Sequence, residues 1–313
     1  MLRLVALATL SWWSASAANE PVRTVTFGRD YGPQQALPAF DKGHLLFTNE
    51  PSGIEVWGPD GRLVFQTILT NPPGAHVMSA AVDSDGTVAV GVAYPVAPHG
   101  YGGGIALLDR SGKELRFVET DRYMPAHVCF DGKHTLWTFG WQRDVVRNET
   151  DDSQDYFLFR KYSVDGKQLG AYALRSLFPK PGLEPGGASG GLWRLRASND
   201  RIGAIAYSGQ TSGNPEWIEL GLDGSLIGHW KLGEEHINGM AFTSKNGICG
   251  LFDGGKRIDC FDRGTQTWKI LGTPAIDDNG RPLGILLGAD DEYLVFGKEY
   301  GGLRLSWARA PGQ

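Results

Sequence analysis

Beyond its first residues the chain has no apolar run approaching the roughly 20 residues needed to cross a bilayer, so no transmembrane anchor is expected. It also lacks any run of lysine and arginine. With 30 basic side chains against 35 acidic ones and a net charge of −5, it carries no basic stripe that would track a phosphate backbone, which sets nucleic acid aside as a partner. There is no Gly-x-Ser-x-Gly nucleophile elbow, and no closely spaced cysteine or histidine set that would hold a structural zinc. The glycine runs Gly102 to Gly104 and Gly186 to Gly191 lack the lysine and following helix of a phosphate-binding loop, and read as loops.

Cysteine is scarce too, with three in all. If Gly254 and Gly255 form a two-residue hairpin turn, Cys249 lies directly opposite Cys260. That register makes them a hydrogen-bonded pair with Cα atoms about 5.5 Å apart, within reach of a disulfide in an oxidising compartment. Cys129 sits in an apolar run and reads as a buried, inert thiol.

What is present begins with a secretory pattern. Arg3 is followed by an apolar run from Leu4 to Trp13 and by the small residues Ala15, Ser16 and Ala17, as in a cleaved signal peptide covering residues 1–17. The alternative is a short buried strand. On the first reading, residues 18–313 form a secreted or periplasmic chain, expected to be a monomer.

That remainder is rich in glycine and in short β-branched and aromatic runs, and it repeats. One set of turns, Gly58 to Gly61, Asp109 to Gly112, Ser163 to Gly166, Gly221 to Gly224 and Asp262 to Gly264, is followed each time by an aromatic residue: Phe65, Phe117, Tyr172, Trp230 and Trp268. A second set, at Asp41, Asp83, Asp131, Asn199, Lys245 and Asp290, precedes the first by one hairpin. A four-strand unit recurring at intervals of roughly 42 to 66 residues is a propeller blade. Six units begin near Gln34, His76, Met124, Gly190, His236 and Leu283. The last has only three convincing strands, and the strand-like stretch from Pro21 to Phe27 can supply the fourth, closing the ring and removing an exposed edge. The fold class read from the sequence is therefore all-β, a single six-bladed β-propeller closed by an N-terminal strand.

The strings AVDSDGTVAVG, from Ala81 to Gly91, and GIALLDRSGKEL, from Gly104 to Leu115, resemble the blade pattern of NHL-type and gluconolactonase-type six-bladed propellers, the TolB-like group. The resemblance spans the chain as architecture and is close in sequence only in the second blade. It implies a fold and no particular activity. The acidic and asparagine metal-ligand set by which gluconolactonase-like enzymes are recognised has no match here.

In such a ring the loops between second and third strands share a face with the links between blades, and the long connections fall there: 94–104, 141–156, 178–191, 208–216 and 272–282. Long loops on a rigid scaffold are the usual place for binding. His76 and His236 occupy matching places on opposite blades of that face, where a neutral imidazole can bind a divalent metal or act as a base; the plainer reading is a hydrogen bond to a loop carbonyl. Tyr101, Tyr123, Trp141 and Trp217, with Arg122 and Arg143, are candidates for a stacking and polar surface that takes a sugar or peptide. Asp151, Ser153 and Asp155 alternate like calcium ligands but lack the glycine and closing glutamate of a calcium loop, so a solvated insertion is expected. Asn148, Glu149 and Thr150 match the N-glycosylation acceptor pattern. The sequence expectation is thus a protein or cell-envelope carbohydrate partner bound on the long-loop face; the alternative is a hydrolase or lyase at the channel mouth, with His76 or His236 as base and Arg122 or Arg143 holding an anionic substrate.

Overall fold

The computed structural model describes residues 21–27, 39–49, 52–96, 100–144, 149–150, 155–177, 183–184, 195–208, 215–233, 237, 239–253, 255–274, 285–291, 293–298 and 303–309. The secretory pattern, His236 and most of the long connections lie outside them. The described strands form six antiparallel sheets. Their innermost strands are Ala39–Asp41, His76–Val82, Tyr123–Phe130, Leu195–Ala197, Met240–Phe242 and Ile285–Asp290, which defines blades 1 to 6 in chain order. No helix among the described residues is long and apolar enough to cross a membrane.

The hairpin turn between third and fourth strands explains the repeat seen in the sequence. At Asp109 to Gly112, for example, the Asp109 carboxylate accepts from the backbone N–H of Ser111 (2.8 Å) and Lys113 (3.0 Å), while Gly112 N–H donates to Asp109 C=O (2.9 Å). Gly112 takes a φ of +83° and the ladder slips by one residue beside it, the bulge that a left-handed turn residue produces. The same slip follows the equivalent turns of blades 1, 3 and 4.

A second constraint acts on these glycines. A Cβ on Gly112 would lie 2.4 Å from the Phe65 ring of blade 1, and one on Gly224 would lie 2.0 Å from the Tyr172 ring of blade 3. In these two pairs the recurring aromatic on one blade covers the turn glycine of the next, whereas Gly166 of blade 3 is met by Val118 of blade 2. The repeat encodes contact between blades as well as turn geometry.

The inner strands of the blades read as nearly continuous apolar runs because both faces of each sheet are buried there, while the outermost strands, such as Leu63–Ile68 and Glu114–Glu119, are largely exposed or half-buried. Leu46, Val82 and Val90 pack between blades 1 and 2; Ala81, Ala89 and Phe130 between 2 and 3; Trp137, Ile202 and Leu220 between 3 and 4. Trp217 and Phe242 join 4 to 5, Leu251 and Phe296 join 5 to 6, and Phe40, Leu45 and Trp307 join 6 back to 1. One core per interface around the full circuit is what a closed ring requires.

The closure uses the N-terminal strand. Arg23–Thr26 pairs with Arg304–Arg309 from Arg23 opposite Trp307 to Thr26 opposite Arg304, completing the fourth position of blade 6. Phe27 follows it into the core against Trp57 of blade 1, with ring centroids 6.1 Å apart. In blade 5, Cys249 pairs with Cys260 in the register that the turn glycines imply, and the two are joined by a disulfide. Their Cα atoms are 4.1 Å apart, shorter than the about 5.5 Å expected from a hydrogen-bonded pair and near the spacing of a non-hydrogen-bonded one.

Candidate functional site

The ring offers two ends of one central channel. At the long-loop end, the second strands of blades 2, 3 and 4 are long, with 9, 9 and 8 residues against 5 or 6 in the other blades. In blade 2 the inner strand starts at His76, opposite Ala93, but the middle strands continue pairing through Tyr94, Pro95 and Val96. Three further residues at about 3.3 Å each lift this ribbon roughly 10 Å above the inner strand. Tyr94 anchors it: its ring meets Phe117 edge-on at 5.7 Å and its hydroxyl donates to Glu119 (2.9 Å), and burial, helped by that bond, pushes the phenol up to about 12. Gly102, opposite Tyr94, leaves the room this ring occupies, since a Cβ there would lie 2.7 Å from it. In blade 3 the second strand likewise continues past Gln142, with Arg143 and Asp144 pairing to Thr150 and Glu149.

This raised side of the ring carries apolar surface. Val96 is 39% exposed at the tip of the blade 2 ribbon, and Phe157 and Leu177, at the same end of blade 3, are 40% and 58% exposed. Tyr101 and Trp141 are partly exposed beside them. His76 and Arg122 are exposed at this end as well. The strand pairing places the backbone of Arg143 here, and His236 lies outside the described residues.

Two of the aromatic candidates turn inward instead. Tyr123 is fully buried, with its hydroxyl bonded to Thr138 (3.0 Å) and to Leu158 C=O (2.9 Å), and the Arg160 guanidinium lies 4.0 Å over its ring. Trp217 is buried and donates its indole N–H to Glu219 (2.8 Å). Position along the chain sets a residue's height on the ring, but the alternation of the strand decides which way it points, and both point into the packing between blades. Asp155 is engaged as well: it accepts from Ser176 N–H (2.9 Å) and Oγ (2.6 Å), capping the short helical turn Arg175–Leu177.

The tight-turn end holds a charged network that the sequence reading did not single out. Lys42, in the first turn of blade 1, donates to Asp83 of blade 2 (3.0 Å) and to Asp131 C=O of blade 3 (3.3 Å). His134 of blade 3 bonds the other Asp83 oxygen (2.8 Å). Burial of Asp83 works to raise its carboxyl, but the hydrogen bonds from His134, Lys42 and Ser84 N–H outweigh it and hold the group below its usual range. Ligand atoms of Asp83, Asp85 and His134 come within 4.8 Å of one another. A cation there would compete with the Lys42 ammonium for Asp83.

Deeper in, Asp41 fixes one oxygen on the N–H of Val82 (3.0 Å) at the free edge of blade 2, and burial raises its carboxyl in spite of Arg196 and Lys42. Burial likewise lowers the Arg196 guanidinium, and it pushes up the Cys129 thiol. In the sequence, Asp41, Asp83 and Asp131 share one place, the end of an inner strand, and that recurrence was the available signal.

No family model matches the chain, and no curated protein matches its sequence. Among solved structures it is similar to the luciferin-regenerating enzyme, at 11% identity over 92% of this chain and 97% of that one, with a TM-score of 0.51. It is also similar to U3-55K (13% identity, 92% and 99% covered, TM-score 0.48) and to a protein of unknown function from Bacteroides caccae (16%, 83% and 81%, TM-score 0.45). At 11% identity the likeness to the luciferin-regenerating enzyme is one of architecture alone. The chain is an all-β six-bladed propeller whose N-terminal strand completes the C-terminal blade.

Proposed function

We propose that this propeller is an exported, monomeric binding protein that holds a protein or a cell-envelope carbohydrate on its long-loop face, at the raised side formed by blades 2 and 3. The observation that carries this reading is the gathering of Val96, Tyr101, Trp141, Phe157 and Leu177, each at least partly exposed, at the long-loop end of blades 2 and 3, whose second strands run to 9 residues each. Apolar and aromatic side chains held by paired strands bind at low entropic cost, because little is left to order. The cross-strand Cys249–Cys260 disulfide suits an oxidising compartment, in keeping with export.

The alternative is a hydrolase or lyase working at the channel mouth with His76 as base, and with Arg122 or Arg143 holding an anionic substrate. The exposure of His76 at the first position of its inner strand favours it.

The test is retention of the full chain on immobilised envelope polysaccharides and envelope proteins. Wild type is expected to be retained by at least one of these. Tyr101→Ala and Trp141→Ala should weaken it by about 2 kcal/mol each, the scale of an aromatic hot spot, while His134→Ala on the opposite face leaves it unchanged. Retention abolished by His134→Ala and untouched by the two aromatic substitutions contradicts the assignment of the face. Turnover of a bound saccharide, lost in His76→Ala, would replace the binding reading with the enzymatic one.

A further inference from the structure

Arg196 belongs to the innermost strand of blade 4, Leu195–Ala197. Its Nη2 donates across to Leu287 C=O on the innermost strand of blade 6 (3.3 Å). The groups that act on its charge are Asp41, on the innermost strand of blade 1 directly opposite, and Cys129, on that of blade 3. A bond from the inner strand of blade 4 to that of blade 6 passes over blade 5 through the lumen, so the guanidinium projects into the channel. Its Nε is buried and has no hydrogen-bond partner.

Asp41 does not meet this need. It forms no ion pair with Arg196 and is tied by one oxygen to the Val82 N–H on its own side of the lumen. Both residues are half-buried. A guanidinium taken from water without full pairing is costly, and an anion that restores its hydrogen bonds recovers much of that cost. The planar fork of donors suits a carboxylate, which can bind through two parallel N–H···O bonds. Phosphate, with a second negative charge, would be repelled by the Asp41 carboxylate opposite. A single carboxylate carrying a hydroxyl or ammonium would instead place a hydrogen-bond donor towards Asp41.

We propose that the channel of this propeller binds a small carboxylate bearing an adjacent hydroxyl or ammonium, its carboxyl on Arg196 and its donor towards Asp41. The site lies at the opposite end from the raised face of blades 2 and 3 and does not depend on what that face binds.

Titration calorimetry on the full chain with glycolate, glycine, acetate and phosphate tests this. Saturable binding of glycolate or glycine is expected, about tenfold tighter than acetate, one hydrogen bond to a charged group being worth roughly 1.5 kcal/mol or more. Phosphate should bind more weakly than either. Arg196→Met should abolish binding while folding normally, since removing an incompletely paired buried charge relieves a cost. Arg196→Lys keeps the charge and loses the fork, and should bind at least about tenfold more weakly. Asp41→Asn should narrow the preference for glycolate or glycine over acetate. No saturable heat from any of the four probes into the millimolar range, or equal binding by wild type and Arg196→Met, would overturn the proposal. Comparable binding of all four probes would do so too, by marking the guanidinium as a non-selective anion trap.

Discussion

Phe27→Ala should lower the free energy of unfolding by about 3–5 kcal/mol, the range for deleting a fully buried phenylalanine. Phe27 is 1% exposed, sits between blades 6 and 1, and contacts Trp57 with ring centroids 6.1 Å apart. It is also where the closing strand enters the core, its N–H donating to Leu303 C=O (2.7 Å). A chain that starts after Phe27 should fare worse than the point variant, because it loses Arg23–Thr26 as well and exposes the edge of Arg304–Arg309 to other chains. The measurements are a denaturant melt of Phe27→Ala and the oligomeric state of the shortened chain by light scattering. A shortened chain that stays monomeric and as stable as wild type would mean that the ring does not depend on this strand.

The second large effect is expected at Glu219. This carboxylate is fully buried in blade 4 and accepts from Trp217 Nε1 (2.8 Å), Arg201 Nη1 (3.0 Å) and the Arg263 guanidinium of blade 5. Glu219→Ala strips the acceptor from two arginines and an indole together. Breaking a buried ionic network by removing one partner costs about 3–5 kcal/mol. Arg201 and Arg263 keep 28% and 24% side-chain exposure, so water recovers part of that and places the expectation nearer 3 kcal/mol. Glu219→Gln retains an acceptor and should cost less. Equal melting midpoints for Glu219→Ala and wild type would show that the network contributes nothing net to the joint between blades 4 and 5.

The fold was legible because its determinants are local and repeated. The Asp and Gly turns announce themselves in four or five residues, and the aromatic that follows each is needed where it covers the glycine of the next blade, as Phe65 does for Gly112. The missing fourth strand in the last unit was visible as an absence, and Pro21 to Phe27 as the segment to fill it. The charged channel was not legible, because its members come from four blades and meet only once the ring has closed. Lys42 and Asp83 are 41 residues apart, and Arg196 and Leu287 are 91. Inner strands such as Leu195–Ala197 are short, and Arg196 sits in this one between Leu195 and Ala197, so nothing local distinguishes a lumen-facing arginine from one on a sheet face. Tyr123 and Trp217 misled for the complementary reason: their chain positions put them near the long-loop end, but strand alternation turned both inside.

The most direct test of the account is hydrogen exchange across the full chain, with and without a saturating envelope polysaccharide or protein that retains it. Binding on the long-loop face predicts slowed exchange in the blade 2 ribbon around Tyr94 to Tyr101 and in blade 3 around Trp141, with the turns at Lys42, Asp83 and His134 unchanged. Protection confined to those turns, with the ribbon exchanging as in the free protein, would contradict it and move the functional surface to the opposite end of the ring.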